Sequence, residues 1–374
     1  MRFTVSSSAI SSRLNTLSRV ISGKTTLPIL DCFLFQVNNN LLTITASDSE
    51  TLMQATVELT DNEGEGEFAI PYRTILDAMK ELPEQPLKFE LNMETYAMRV
   101  MYQNGMYNLT IQGTEEYPKI QRVSDAASTL TLNANVLIDN VNRSLFATAN
   151  DELRPVMNGI YFDFMPDALA IVASDGHKLV RNKNFTVKSE VPTSFIFPKK
   201  PATLLRSSLD KEGGDVVIRF DDRSAEIRYE GGLLCCRLIE GRYPNYNSVI
   251  PKNNPNIATI DRKSFASALR RVLPFANESS LLVRLHLEQG RLELSSEDIE
   301  FATAAKEQLS CDYQGNPMSI GFKGSTLQEI LGNLESEQVI LQLADASRAG
   351  IIVPSQQPEN EDVLMLVMPM LLND

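Results

Sequence analysis

The sequence predicts an α+β protein: three tandem copies of one domain, each with two helices packed on antiparallel sheets. Three observations carry this. A length of 374 residues suits two or three domains. Apolar residues make up 43% and charged residues 22%, the balance of a chain with a real core. Helical and strand patterns also recur about every 125 residues, too long for a solenoid repeat and right for whole domains.

The first helical pattern runs from Ser8 to Ile21, with Ile10, Leu14, Leu17, Val20 and Ile21 on one face. Counterparts run through Val136, Leu137, Val141 and Leu145, and through Phe265, Ala268, Leu269 and Val272. The strand LTITASD at 42–48 returns as LAIVASD at 169–175 and, more loosely, as LELSSE at 292–297. Second helices follow at 72–79, 200–206 and 324–331. Each precedes an alternating strand: Leu87-Phe89-Leu91, Val216-Ile218-Phe220, Val339-Leu341-Leu343. Glu116-Tyr117-Pro118 is echoed by Arg242-Tyr243-Pro244, and Gln289-Gly290 reads as a hairpin turn. Polar stretches at 123–128 and 251–256 read as linkers, giving domains 1–125, 126–254 and 255–374.

Chemistry is scarce. Four cysteines, two of them adjacent at 235 and 236, make neither a disulfide framework nor a CxxC pair. The two histidines, His177 and His286, are too few and too far apart in sequence for a histidine zinc site. No G-x-S-x-G elbow occurs. Gly23-Lys24-Thr25 resembles the end of a phosphate loop, but Ser18 stands where the first glycine belongs, so Gly23 reads as a helix cap. No catalytic residue, cofactor or metal is expected. With no apolar run for a signal peptide or a membrane span, a reduced cytoplasmic protein is the expectation.

A net charge of −13 speaks against nucleic acid until the charge is sorted by element. The helical windows 8–24, 72–82, 135–148, 198–212, 261–272 and 322–334 hold 15 basic and 7 acidic residues, while the remainder holds 20 basic and 41 acidic. Arg13, Arg19, Lys24, Arg73, Lys80, Arg143, Lys199, Lys200, Arg206, Arg270 and Arg271 are among the helical cations. If the helices share one surface, that surface suits a phosphate backbone without reading bases. Ordinary solvated helix faces are the alternative.

Taken together, the chain resembles the bacterial DNA polymerase III beta subunit family, the replicative sliding clamps. The matching residues are Thr26-Leu27-Pro28-Ile29-Leu30, Ser174-Asp175-Gly176-His177-Lys178-Leu179, Glu240-Gly241-Arg242-Tyr243-Pro244 and Val367-Met368-Pro369-Met370. The resemblance implies clamp-type domains in a ring-forming homodimer on double-stranded DNA, without sequence preference. Twelve helices spaced about 9 Å apart give a circumference of about 110 Å and, less the helix thickness, an opening of roughly 25 Å, wide enough for a duplex. The helices of one chain would not suffice.

The resemblance further implies DNA contacts from Lys24, Arg73, Lys80, Lys199 and Lys200. It implies subunit contacts by Tyr107 and Leu109 against Pro274 and Phe275. A partner-peptide pocket would use Met157, Ser174, Gly176, His177, Leu179, Pro244, Val249, Val367, Met368, Pro369 and Met370. Its ligands would be the DNA polymerase III catalytic subunit, the clamp loader, and other polymerases and repair proteins. The tail that carries the methionines is expected to lie away from the subunit contacts. Leu371 stands where the family usually has Arg, Ser248 where some members have Arg, and Thr326 where some have Tyr. Pro155 and Val156 replace aromatics that contact DNA in some relatives. Two other readings remain: an enzyme with an unrecognised site, such as a nucleotidyl transferase, and an oligomeric scaffold without DNA. The missing phosphate loop opposes the first, and the helical charge excess opposes the second.

Overall fold

The computed structural model describes residues 1–23, 27–119, 123–210 and 213–372. The first repeat runs β1 (Arg2–Ser6), α1 (Ser7–Ser18), β2 (Cys32–Asn38), β3 (Leu41–Ser47), β4 (Thr51–Glu58), β5 (Asp61–Glu63), β6 (Gly66–Pro71), α2 (Tyr72–Lys80), β7 (Pro86–Asn92), β8 (Ala97–Tyr102) and β9 (Gly105–Thr110). The second runs β10 (Ser128–Asn133), α3 (Ala134–Leu145), β11 (Gly159–Phe164), β12 (Leu169–Ser174), β13 (Lys178–Asn184), β14 (Thr193–Pro198), α4 (Lys199–Ser208), β15 (Asp215–Phe220), β16 (Ser224–Tyr229) and β17 (Gly232–Arg237). The third runs β18 (Asn256–Asp261), α5 (Arg262–Val272), β19 (Leu282–Glu288), β20 (Arg291–Asp298), β21 (Thr303–Ser310), β22 (Asp312–Gln314), β23 (Met318–Lys323), α6 (Gly324–Gly332), β24 (Gln338–Leu343), β25 (Gly350–Pro354) and β26 (Glu361–Val367).

Each helix follows directly from a strand, and the strand's last residue often caps it. Ser6 accepts from the Ala9 amide, and Asp261 accepts from the Ser264 amide at 2.8 Å. Glu84 adds a carboxylate at the α1 start, taking the Ser8 amide at 2.9 Å. The apolar stripe then turns inward, and Ile10, Leu14 and Leu17 are fully buried. The α1 end differs from expectation. The helix stops at Ser18 with Arg19 as its cap, and Gly23 takes a positive φ of 63° only in the turn beyond.

All strand pairs are antiparallel, and two sheets run across repeat boundaries. β4 pairs with β17 inside an eight-stranded sheet, β10-β15-β16-β17-β4-β3-β2-β6. β13 pairs with β26 inside a nine-stranded sheet, β14-β11-β12-β13-β26-β25-β24-β18-β22. The remaining sheets are β5-β1-β7-β8-β9, which ends on β9, and β21-β20-β19-β23, which ends on β21. Backbone contacts therefore divide the chain into Met1–Ile138 with Lys200–Leu238, and Asp139–Lys199 with Ile239–Asp374. This division cuts the middle repeat in two, because each half of that repeat belongs to a different continuous sheet.

Within the second unit, α3 is tied to β26 by a buried ion pair. Arg143 bonds Glu361, with side chains 11% and 8% exposed, and Asn140 Nδ2 donates to the same carboxylate at 3.0 Å. Arg143 belongs to this structural pair rather than to the free helical charge counted above. Removing one partner strands a buried charge. Arg143→Ala should therefore lower the unfolding free energy by about 3–5 kcal/mol in urea titrations. The double apolar replacement Arg143→Met with Glu361→Leu should recover most of the loss.

Candidate functional site

One turn recurs in all three repeats. Asp175 Oδ1 accepts the amides of His177 and Lys178 at 2.8 and 2.9 Å. Asp48 does the same for Glu50 and Thr51, and Asp298 for Glu300 and Phe301. In the second repeat the turn carries Gly176 at φ 91°, where other residues are strained.

Around this turn, within the second unit, most of the expected pocket residues adjoin. Lys178 and Leu179 pair with Val367 and Leu366, and the Met368 amide donates to the His177 carbonyl at 2.8 Å. Ser174 Oγ closes the turn by donating to the Lys178 carbonyl at 2.8 Å. Met157, Ser174, Leu179 and Val367 are buried, while Gly176, His177, Pro244, Val249 and Met368 are exposed and Pro369 and Met370 are half-buried. Leu179 shares an apolar cluster with Tyr243, Tyr246 and Leu366, flanked by Val156 and Ile250. That cluster anchors the stretch bearing Pro244 and Val249. Tyr243 stacks on Tyr161 with ring centres 4.7 Å apart, and burial pushes its phenol far above the usual range.

Nearby charge is largely paired. Lys178 Nζ lies 2.7 Å from Glu329 and 3.3 Å from Asp175, and Arg154 Nε lies 2.8 Å from Asp151. Sequence reasoning missed Arg154. Its guanidinium lies over Gly176, where an added Cβ would come within 3.1 Å of Nη1. The only local signal for it was its position beside Pro155 and Val156. The tail continues as a strap, with the Met370 amide donating to the Gly321 carbonyl at 2.8 Å on β23.

The expected DNA contacts differ among themselves. Arg73 is exposed on α2, its Nε donating to Tyr72 Oη at 2.9 Å. Lys80 is exposed at the α2 end, 3.9 Å from Asp77, and Lys199 is exposed at the α4 start. Lys200 is half-buried, and its ammonium holds Asp48 and the Val20 carbonyl, the latter at 2.7 Å. Lys24 lies outside the described residues.

Tyr107 and Leu109 sit half-buried on β9, the strand that ends its sheet among the described residues. Pro274 and Phe275 are exposed on a turn of 3₁₀ helix at Leu273–Phe275. The structure adds Ile299 and Phe301, 85% and 73% exposed at the β20–β21 turn, which no periodicity announced. A cleft of about 740 Å³ on the β19–β21 sheet is lined by Leu282, Arg284, Ser295, Ala304, Lys306 and Leu372, among others. Leu372 thus brings the tail beside edge strand β21.

Known proteins match this chain along its length. Models of the DNA polymerase III beta subunit match in order: the N-terminal domain at 1–121, the central domain at 131–245 and the C-terminal domain at 247–371. Similar curated proteins include the beta sliding clamps of Pseudomonas putida, 27% identical, and Proteus mirabilis, 29% identical, each aligned over 100% of both chains. A crystal structure of a DnaN sliding clamp from Pseudomonas aeruginosa superposes with a TM-score of 0.93 at 25% identity, covering 100% of both chains. The sliding clamp from Bacillus subtilis shares the fold, with a TM-score of 0.91 at 21% identity and 100% of both chains covered. With its three repeats each matched to a domain of one subunit, this chain belongs to the DNA polymerase III beta subunit family, the non-catalytic beta sliding clamps.

Proposed function

We propose that the chain closes head to tail with a second copy into a ring around duplex DNA and serves as its sliding clamp. The supporting observation is the repeated junction. The strand after the recurrent turn, β4 or β13, joins the last strand of the following repeat, β17 or β26. Among the described residues, the third repeat leaves β21 without a successor, and the first leaves β9 without a predecessor. Pairing β21 of one copy with β9 of another continues the series, and a heterologous contact of this kind closes when its rotation fits. Unpaired edges of this length are otherwise an aggregation liability. Tyr107 and Leu109 would then pack near Pro274 and Phe275 of the partner copy, and the domains would run 1–125, 126–254 and 255–374.

Inside the ring, Arg73, Lys80, Lys199 and Lys24 would meet phosphates, with Lys200 contributing only its residual charge. Diffuse charge holds DNA without fixing a register. Partners carrying a short peptide motif would bind at Gly176, His177, Leu179 and Met368–Met370: the polymerase III catalytic subunit, the clamp loader, other polymerases and repair proteins. Tethering raises their effective concentration at the template. The place of work would be the cytoplasm, and no helix among the described residues is long and apolar enough to cross a membrane.

The test is topological. The loaded protein should stay on closed circular DNA and fall off once the circle is cut, and it should extend polymerase run length without activity of its own. Equal retention on both forms would refute encirclement. Arg73→Ala alone should change the half-life on circles by less than about twofold. Joint loss of Lys24, Arg73, Lys80 and Lys199 should shorten it by about tenfold or more at 0.1 M salt, since each phosphate contact contributes separately.

A further inference from the structure

The internal repeat predicts a side-chain register for the subunit junction, and that register gives the large cleft an occupant. The correspondence rests on paired residues. Ser47 opposite Leu52, Ser174 opposite Leu179 and Glu297 opposite Ala304 hold the same place beside the recurrent turn. The β8–β9 hairpin, closed by Tyr102 opposite Gly105, matches the β16–β17 hairpin, closed by Tyr229 opposite Gly232. In both, the tyrosine ring lies where a glycine Cβ would be. Leu52 pairs with Cys235, Met53 with Leu234 and Gln54 with Leu233. Carried to the open edges, this sets Ala304 opposite Asn108, Ala305 opposite Tyr107, and Lys306 opposite Met106.

The faces agree. Tyr107 pairs with Val100, which is fully buried, and Ala305 pairs with Ser296, which is also buried, so a large side chain meets a small one on the core side. Met106 falls on the outer side. It is 56% exposed. Its equivalent across β13 and β26 is Leu364, paired with Arg181 and only 8% exposed in the outer apolar cluster. On the third repeat, the outer surface at Lys306 and Ala304 is the cleft whose wall includes Leu372.

We propose that this cleft is the seat of Met106 from a second copy of the chain, with the thioether against the Lys306 stem and Leu372. The inference rests on the head-to-tail reading above. An unbranched thioether fits such an uneven seat. The C-terminal strap would then serve both the partner-peptide site, through Met368 and Met370, and the subunit junction, through Leu372.

Dimer dissociation measured by mass photometry at nanomolar concentration tests it. Met106→Asp and Leu372→Asp should each raise the dimer Kd by about tenfold or more. Leu371→Asp, 84% exposed and outside the cleft lining, should leave it unchanged. Met106 is exposed and Leu372 half-buried, so thermal unfolding of the dissociated subunit, measured below the dimer Kd, should be unchanged. A second measurement fixes the register: the Asn108→Cys, Ala304→Cys double variant should oxidise to a covalently joined dimer, whereas Asn108→Cys with Gln308→Cys should not. The four native thiols are buried and do not compete. A wild-type dimer that Met106→Asp leaves intact, or a disulfide formed only by the shifted pair, overturns the cleft assignment alone. A wild-type monomer at micromolar concentration overturns the ring as well.

Discussion

Phe275→Asp should convert the protein to monomers at micromolar concentration and abolish retention on circular DNA. Phe275 is 40% exposed on the 3₁₀ turn that follows α5. The turn lies against β20 and β21, so in the proposed junction the phenyl ring is covered by the partner copy. A carboxylate there would be desolvated by the partner copy, at a cost of several kcal/mol. That cost corresponds to a dimer constant weakened by more than about a hundredfold. Sedimentation velocity reads the oligomer, and gel filtration of protein with nicked and cut circles reads retention. The monomer should keep its partner-peptide affinity, because the turn at Gly176 lies in other elements of the same unit. A dimer of wild-type stability from Phe275→Asp would remove Phe275 from the junction.

The second large effect concerns the tail. Ending the chain at Val367 removes Met368, Pro369 and Met370 from beside the His177 carbonyl. Binding of a polymerase tail peptide should fall by about a hundredfold or more, since anchoring two apolar side chains contributes roughly 3–6 kcal/mol before ordering costs. Isothermal titration with a synthetic peptide measures this independently of DNA. The same truncation deletes Leu372, so a weaker dimer should accompany the loss. The single change Leu372→Asp should weaken the dimer while sparing peptide affinity. Unchanged peptide affinity after truncation would move the docking site elsewhere.

Local pattern and internal repeat made much of this legible. The stripe Ile10, Leu14 and Leu17 located α1 to within a few residues, and the echo of 42–48 in 169–175 located β3 and β12. The pairing of β4 with β17 and of β13 with β26 was not legible, because nothing in a strand's own alternation names its neighbour. The linear charge tally overcounts for a related reason. Lys200 and Arg143 look like free helical cations in a linear tally, yet Asp48 and Glu361, far away in sequence, neutralise them. Ile299 and Phe301 were passed over because a turn has no period against which an exposed apolar residue stands out.

The recurrent aspartate turn has a consequence for stoichiometry. Ser49 holds φ 80° where Gly176 holds 91°, so two copies share one backbone shape but only one leaves it bare. At the first copy, Ser49 and Glu50 border a void of about 40 Å³, too small to admit a peptide side chain. The third copy, through Ile299 and Glu300, borders the cleft assigned above to Met106 of a second copy, so the proposed docking at Gly176 would leave each chain a single berth and a two-chain ring two. Polymerase, loader and repair proteins would have to queue for those two places, and their order of arrival would follow their concentrations and residence times rather than any division of labour among sites.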